Sequence, residues 1–403
     1  MDGHVEDRSG SPGEVFRAFL KLGLTSFGGP IAHLGYFREE LVMRRRWLSE
    51  EAYGDLVALC QFLPGPASSQ VGFALGLKRA GPLGALAAWS AFTLPSALLL
   101  ILFAASAAAL GGPVAQGVLH GLKLAAVAVV AQAVWGMAKS LTPDGQRAGI
   151  ALGALLLVTL VAGALGQVGA IVLGAIAGLV LCRGDGQGDE TSLGFAVSAR
   201  AGLVALGLFG GLLVVLPLLA AVIDLHAIDL VDAFYRAGSL VFGGGHVVLP
   251  LLESEVVANG WVSQDAFVVG YGATQAVPGP LFTFAAYLGA VGSVSPNGLA
   301  GALLALVAIF LPGLLVLVGT LPFWDMLRRK TLAQAGMRGA NAAVVGILAA
   351  ALYDPVWTSA VLTPLDFAIA ACGFLALVLW KAPPWSVVVG LAVAGGVLGA
   401  LGA

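Results

Sequence analysis

Apolar and polar positions along this chain do not alternate at the period of a strand or stripe one face of a surface helix. Apolar residues run in long blocks separated by short polar loops. Thirteen blocks stand out, at about 15-37, 52-77, 83-110, 113-138, 148-165, 168-182, 200-223, 231-252, 265-292, 298-320, 333-353, 361-380 and 384-402. About 20 apolar residues in a helix span a hydrocarbon core ~30 Å thick, so the pattern predicts an all-α polytopic membrane protein. Four blocks are interrupted near their centres, at Gly28-Gly29-Pro30, Pro64-Gly65-Pro66, Gly243-Gly244 and Pro278-Gly279-Pro280. Proline removes a helical hydrogen bond and clashes with the preceding turn, so these blocks are expected to be broken helices.

Composition agrees with a lipid environment. Of 403 residues, 59% are hydrophobic and 10% charged, against roughly 45–50% and 25% in soluble domains, which excludes a soluble enzyme. The 57 glycines read as packing surface, because small residues let membrane helices approach closely. The net charge of -2 says nothing of partners, since in a membrane protein the side on which charge lies is what matters. Cys60, Cys182 and Cys372 are far apart, without metal or disulfide spacing; no cofactor, metal or redox chemistry is expected. The polar stretch Met1 to Glu14 lacks the pattern of a removable signal peptide and reads as a cytoplasmic tail.

The stretch from about Phe16 to Met137 matches that from about Val231 to Leu352 at an offset of 214 to 218 residues. Phe19, Gly23, Phe27, Gly28 and Gly29 fall on Phe234, Gly238, Phe242, Gly243 and Gly244. Gln61, Pro64, Gly65 and Pro66 fall on Gln275, Pro278, Gly279 and Pro280, and Trp47 falls on Trp261. Chance likeness between apolar helices would match Leu, Ala and Val, so these matches in Gly, Pro, Gln and Trp indicate a tandem duplication.

The motifs FGGP (27-30) and QFLPGP (61-66), with their copies FGGGH (242-246) and QAVPGP (275-280), resemble the chromate ion transporter family over nearly the whole chain. The resemblance implies a long-chain member with two halves in opposite orientation, acting in chromate export and resistance or in chromate and sulfate exchange at a bacterial inner membrane. The expected organisation is a tail at 1-14, a first repeat at 15-182, a linker loop and connecting transmembrane helix at 183-230, and an inverted second repeat at 231-403.

Seven blocks separate equivalent points of the repeats, an odd number, which inverts one half relative to the other. Loops after even-numbered blocks carry Lys78, Arg79, Lys139, Arg147, Arg183, Arg200, Arg328, Arg329, Lys330 and Lys381. By the positive-inside rule the N-terminus is cytoplasmic and the C-terminus periplasmic. The loop holding Arg38, Arg44, Arg45 and Arg46 breaks this rule if every block crosses. If the four broken blocks instead dip in and return, that loop stays inside, the loop from Glu253 to Asp265 stays outside, and nine full spans remain. Thirteen straight crossings are the alternative.

Irregular backbone at membrane depth survives only when buried in protein or lining a cavity. Hairpins entering from opposite faces would bring Gly28, Gly29, Pro30, Pro64, Gly65, Pro66, Gly243, Gly244, Pro278, Gly279 and Pro280 together near the midplane, where bared N–H groups and half-helix dipoles can receive an oxyanion. The bland alternative is packing kinks. Charges inside apolar blocks are by default functional: Lys21 aligns with Arg236 six residues before each FGG, and Lys123 aligns with Asn341. These four, with Gln61 and Gln275, are candidate anion ligands, although the two amides could instead cap the broken backbone. Arg17 and Arg338 could snorkel to the interface. His33 and His246 are candidate proton carriers, Asp55 and Asp232 could pair with cations or carry protons, and Asp232 is expected at the interface.

The expected function is secondary active transport of chromate. An exchanger of sulfate or another tetrahedral oxyanion, or an oxyanion channel, are the alternatives. A GxxxxGK[ST] loop for ATP is absent from the sequence, and the inner loops show no cluster that would make an enzyme. The expected partners are a small inorganic oxyanion, the lipid bilayer and a second copy in a homodimer; no nucleic acid is expected.

Overall fold

Local signals set the ends of each helix in the computed structural model, which describes residues 10–109, 112–161, 163–182, 195, 197–242, 245–327 and 330–402. Helix α1 (Pro12–Thr25) begins with proline in its first turn and with Ser11 Oγ accepting the Glu14 N–H at 3.2 Å. It stops at Ser26, and the chain passes through Gly28 and Gly29 at φ +101 and +78 before α2 (Gly29–Phe37), which runs on into a π-helical turn to Arg44. Helix α3 (Glu50–Phe62), capped by Ser49, ends before Pro64-Gly65-Pro66, and α4 (Ala67–Ala109) follows. As one rod α4 would measure about 65 Å, twice the hydrocarbon core. It bends at Ala80 and Gly81 into two antiparallel pieces, 67–79 and 82–109, with Gly76 and Gly84 so close that a Cβ on either would collide with the other's carbonyl.

Helices α5 (Pro113–Leu141), α6 (Gly145–Leu160), α7 (Ala164–Leu181) and α8 (Ala199–Val222) follow. The second half then repeats the first with α9 (His226–Ser239), α10 (Val248–Val256), α11 (Gln264–Thr274, capped by Ser263), α12 (Phe284–Val291) and α13 (Gly298–Thr320). Gly289 and Gly301 meet as Gly76 and Gly84 do. Helices α14 (Thr331–Ala351), α15 (Pro364–Val378) and α16 (Pro384–Leu401) complete an all-helical chain, with no strand among the described residues. Seven of the described helices are long and apolar enough to cross a membrane.

Three contacts fix the path of the first broken pair. Gly10 N–H donates to Arg79 O at 2.9 Å, Arg79 pairs with Glu14 at 3.2 Å, and its guanidinium lies 5.4 Å from the Trp47 ring centre. The start of α1, the arginine loop and the end of segment 67–79 therefore share one face, and both hairpins re-enter. In the second half His226 meets Trp261 edge-on at 4.6 Å, and Ser293 N–H donates to Trp261 O at 2.9 Å, so these hairpins also return to the face they entered. Five helical segments, 82–109 and α5 to α8, separate the two pairs along the chain. Each half thus carries two broken helices that fold back on themselves.

The helices after each hairpin unit are exchanged. The pair α6–α7 packs on α14 of the second half, with Gly174 and Gly178 against Gly339, while α15–α16 packs on α5 of the first, with Gly117 and Gly121 against Gly395 and Leu391. Glycines spaced four apart let the backbones touch.

Candidate functional site

Residues at or beside the breaks of the two halves meet across the repeats. Gly65 N–H donates to Val241 O at 2.8 Å and Gly279 N–H to Ser26 O at 2.9 Å. Gly65 corresponds to Gly279 and Ser26 to Val241, so the two bonds are copies exchanged between repeats. Both glycines have positive φ, +114 and +101. A Cβ at Gly65 would stand 2.9 Å from Gly313 Cα, and one at Gly279 2.8 Å from Ser96 Oγ; Ser96 and Gly313 are again repeat equivalents. Conformation and space both exclude a side chain here.

Breaking a helix bares carbonyls that need donors. Gln70 Nε2 supplies one to Pro64 O at 2.9 Å and also reaches Gly313 O, inside α13, at 2.8 Å. Gln61, considered for this role from sequence, lies exposed on α3. Beside the crossing, Gly28, Gly29, Gln275, Gly279 and His246 line a small cavity of about 20 Å³, room for roughly one water. Pro30 abuts Gly245, Pro66 abuts Gly313, and Pro278 and Pro280 flank Gly279. Gly243 and Gly244 lie outside the described residues.

Several buried polar atoms here have no partner among the described residues: Ser26 Oγ, Ser69 Oγ, Thr93 Oγ1 and Gln275 Nε2. His33 lies between Ser68 Oγ, 3.3 Å from its Nδ1, and the Phe92 ring, edge-on at 5.3 Å. His246 Nδ1 is 2.7 Å from the Tyr271 hydroxyl. An unpartnered buried polar group costs about 1–3 kcal/mol, so such a concentration marks a place where a ligand or water supplies the missing bonds. Hydroxyl and amide donors suit an anion.

The cations stand differently from the sequence expectation. Lys21 Nζ pairs with Glu40 at 2.8 Å, and Arg236 Nη2 pairs with Asp232 and Glu255 at 3.0 Å each. Neither is presented at a tip as an unmatched charge. Asp232, expected at the interface, is buried. Lys123 bonds Asp265 at 3.0 Å and Ser359 O at 3.3 Å, in a separate cavity of about 540 Å³ that His120 and Tyr287 also line. Asn341 sits on α14 with its Oδ1 buried and without a partner among the described residues, as are Nε and Nη2 of Arg338 one turn before it. Glu40 and Glu255 were missed from sequence. They occupy one repeat position, and aligning acidic residues as well as basic ones would have found them. No group of three His, Cys, Asp or Glu that could hold a metal occurs among the described residues.

Comparison with known proteins adds an independent line. The family model described as Chromate transporter matches residues 13–180 and again 228–399. The chromate transport protein of Pseudomonas aeruginosa is 29% identical over 381 residues, covering 91% of this chain and 87% of the relative. A probable chromate transport protein of Synechococcus elongatus is 28% identical over 345 residues, 84% of this chain and 83% of its own. The chromate transport protein of Cupriavidus metallidurans is 26% identical over 337 residues, 83% of this chain and 80% of its own. No solved structure matches the chain.

Proposed function

Because the chain belongs to the chromate transporter family, we propose that it is a secondary active transporter exporting chromate across a bacterial inner membrane, with its N-terminus cytoplasmic and its C-terminus periplasmic. The observation that carries this reading is the reciprocal pair of bonds, Gly65 to Val241 and Gly279 to Ser26, with unpartnered donors beside it. A tetrahedral dianion needs many donors and little competing negative charge. Ser26, Ser69, Thr93 and Gln275 offer neutral donors, and helices α2 and α4 direct their N-terminal ends at the crossing. Lys21 and Arg236 stand behind the tips as paired cations that shift the local field.

Chromate does not fit a space for one water, so the hairpins must part to admit it. A centre with room for about one water, between two pairs of broken helices from opposed repeats, favours a carrier with alternating access over an open channel. His33 and His246 remain candidates for moving protons. The neutral donors do not distinguish chromate from sulfate, which supports sulfate exchange as the second reading.

The test is flux through the purified chain in liposomes. Labelled chromate should enter saturably and be competed by sulfate, and Ser26→Ala with Gln275→Leu should reduce flux about tenfold or more. Unsaturable flux, or flux unchanged in the double variant, would remove this site from the pathway.

A further inference from the structure

Summed over three matched positions, the hairpins of the two repeats carry opposite net charge, because Arg17 of the first is replaced by Asp232 in the second. The first has Arg17, Lys21 and Glu40; at an offset of 215 the second has Asp232, Arg236 and Glu255. With every group ionised the first set sums to +1 and the second to -1. Glu40 is further held by Arg45 at 3.0 Å and Arg44 at 3.8 Å. In the second set a single Arg236 nitrogen serves both carboxylates at 3.0 Å, and their side chains are only 10% and 9% exposed.

Among the described residues Arg236 is the one cation paired with either carboxylate; α14, which packs on α10, carries Arg338 outside that pair. Helices α7 and α13 contain no ionisable residue, and the one cation of α8, Arg200, lies at its opposite end. From α7, Gln167 donates to Pro250 O and accepts from the Ser254 hydroxyl. On α9 itself, His226 and Asp229 pair with each other a turn or more nearer the surface. From α10, Glu253 adds negative charge and faces Asp354. Arg236 lies about 15 Å along α9 from its start, where unbalanced charge is expensive. The cavity that Arg236 and Glu255 line measures about 10 Å³. That is too small for an oxyanion, whereas a proton needs no cavity.

Resting on the transport reading above, we propose that the Asp232–Arg236–Glu255 cluster is the binding site of the coupling proton. One carboxylate oxygen accepts a proton delivered by water from the face where these hairpins open, forming a neutral acid beside the remaining carboxylate–guanidinium pair. Release of that proton to the other side regenerates the carboxylate. The protonated cluster is neutral, so its hairpin moves without dragging net charge through the membrane centre. Proton entry then drives anion exit, and an inside-negative voltage assists it.

Asp232→Asn and Glu255→Gln each make the cluster neutral without a proton. The experiment measures, in liposomes holding a pH-reporting dye, anion-for-anion exchange at equal pH and zero voltage, and chromate accumulation with proton flux under a pH gradient. Both variants should keep exchange while accumulation and proton flux fall about tenfold or more. Glu40→Gln breaks the matched ion pair but should leave the protons moved per anion unchanged. The inference is overturned if wild type moves chromate without protons, if either variant keeps coupled accumulation, or if exchange and accumulation fall together in both. Absence of any oxyanion flux in wild type would overturn the transport reading itself.

Discussion

Gly65 and Gly279 are held in conformations and spaces that a side chain cannot share, and each gives its N–H to the other repeat. Gly65→Ala should lose about 1–3 kcal/mol from backbone strain alone, more from the contact with Gly313, and should abolish transport. Gly81, at φ +65 and ψ -160 with open space around it, is the control for the contact: Gly81→Ala should also cost about 1–3 kcal/mol of backbone strain but leave flux intact. Thermal unfolding of the purified protein with parallel flux assays checks both. Gln70→Leu removes the donor from the bared Pro64 carbonyl and the bond to Gly313 O and should destabilise by about 1–3 kcal/mol, while Gln61→Leu on an exposed face should stay within about 0.5 kcal/mol; the same unfolding assay separates them. This pair also shows where sequence reading stops. Gln61 recurs as Gln275 and drew attention for that reason, whereas the repeat partner of Gln70 is Phe284. A search for symmetry passes over a residue that acts in one copy only.

At the scale of elements, the broken helices were legible because Gly and Pro leave no other reading at the centre of an apolar block. The path of the hairpins was legible because four arginines contradicted simple counting. Labelling tests that path in a variant lacking Cys60, Cys182 and Cys372. A cysteine introduced at Ala258 should react with an impermeant maleimide on intact cells, and one at Met43 only after the membrane is opened. Labelling of both from one side would refute the opposed hairpins. The ion pairs across each hairpin were not legible to the same degree. Lys21 and Arg236 drew notice as costly charges, but their partners Glu40 and Glu255 lie 19 residues away along the chain, beyond any local spacing rule. Lys123 aligned with Asn341 and so looked central, yet its partner Asp265 is 142 residues distant and holds it away from the tips.

In the whole molecule, the exchange of α6–α7 and α15–α16 was hidden from sequence, because one apolar helix with small residues looks like another until the packing partner is known. The glycines at 117, 121, 395 and 399 announce close packing but not with whom. Since each half supplies the cover for the other's central helix, residues 1–195 or 196–403 expressed alone should be degraded, and co-expression should restore folded protein and flux. A stable, monodisperse single half would contradict this. The same exchange imposes an order on biogenesis. Helix α5 is complete at Leu141, but the segment that seats on its glycines ends at Leu401, so at roughly 5–20 residues per second that groove faces lipid or the insertion machinery for about 13–50 s. The duplicated gene thus yields a protein whose first-made part is finished last, and any pause late in translation exposes a sticky surface made early.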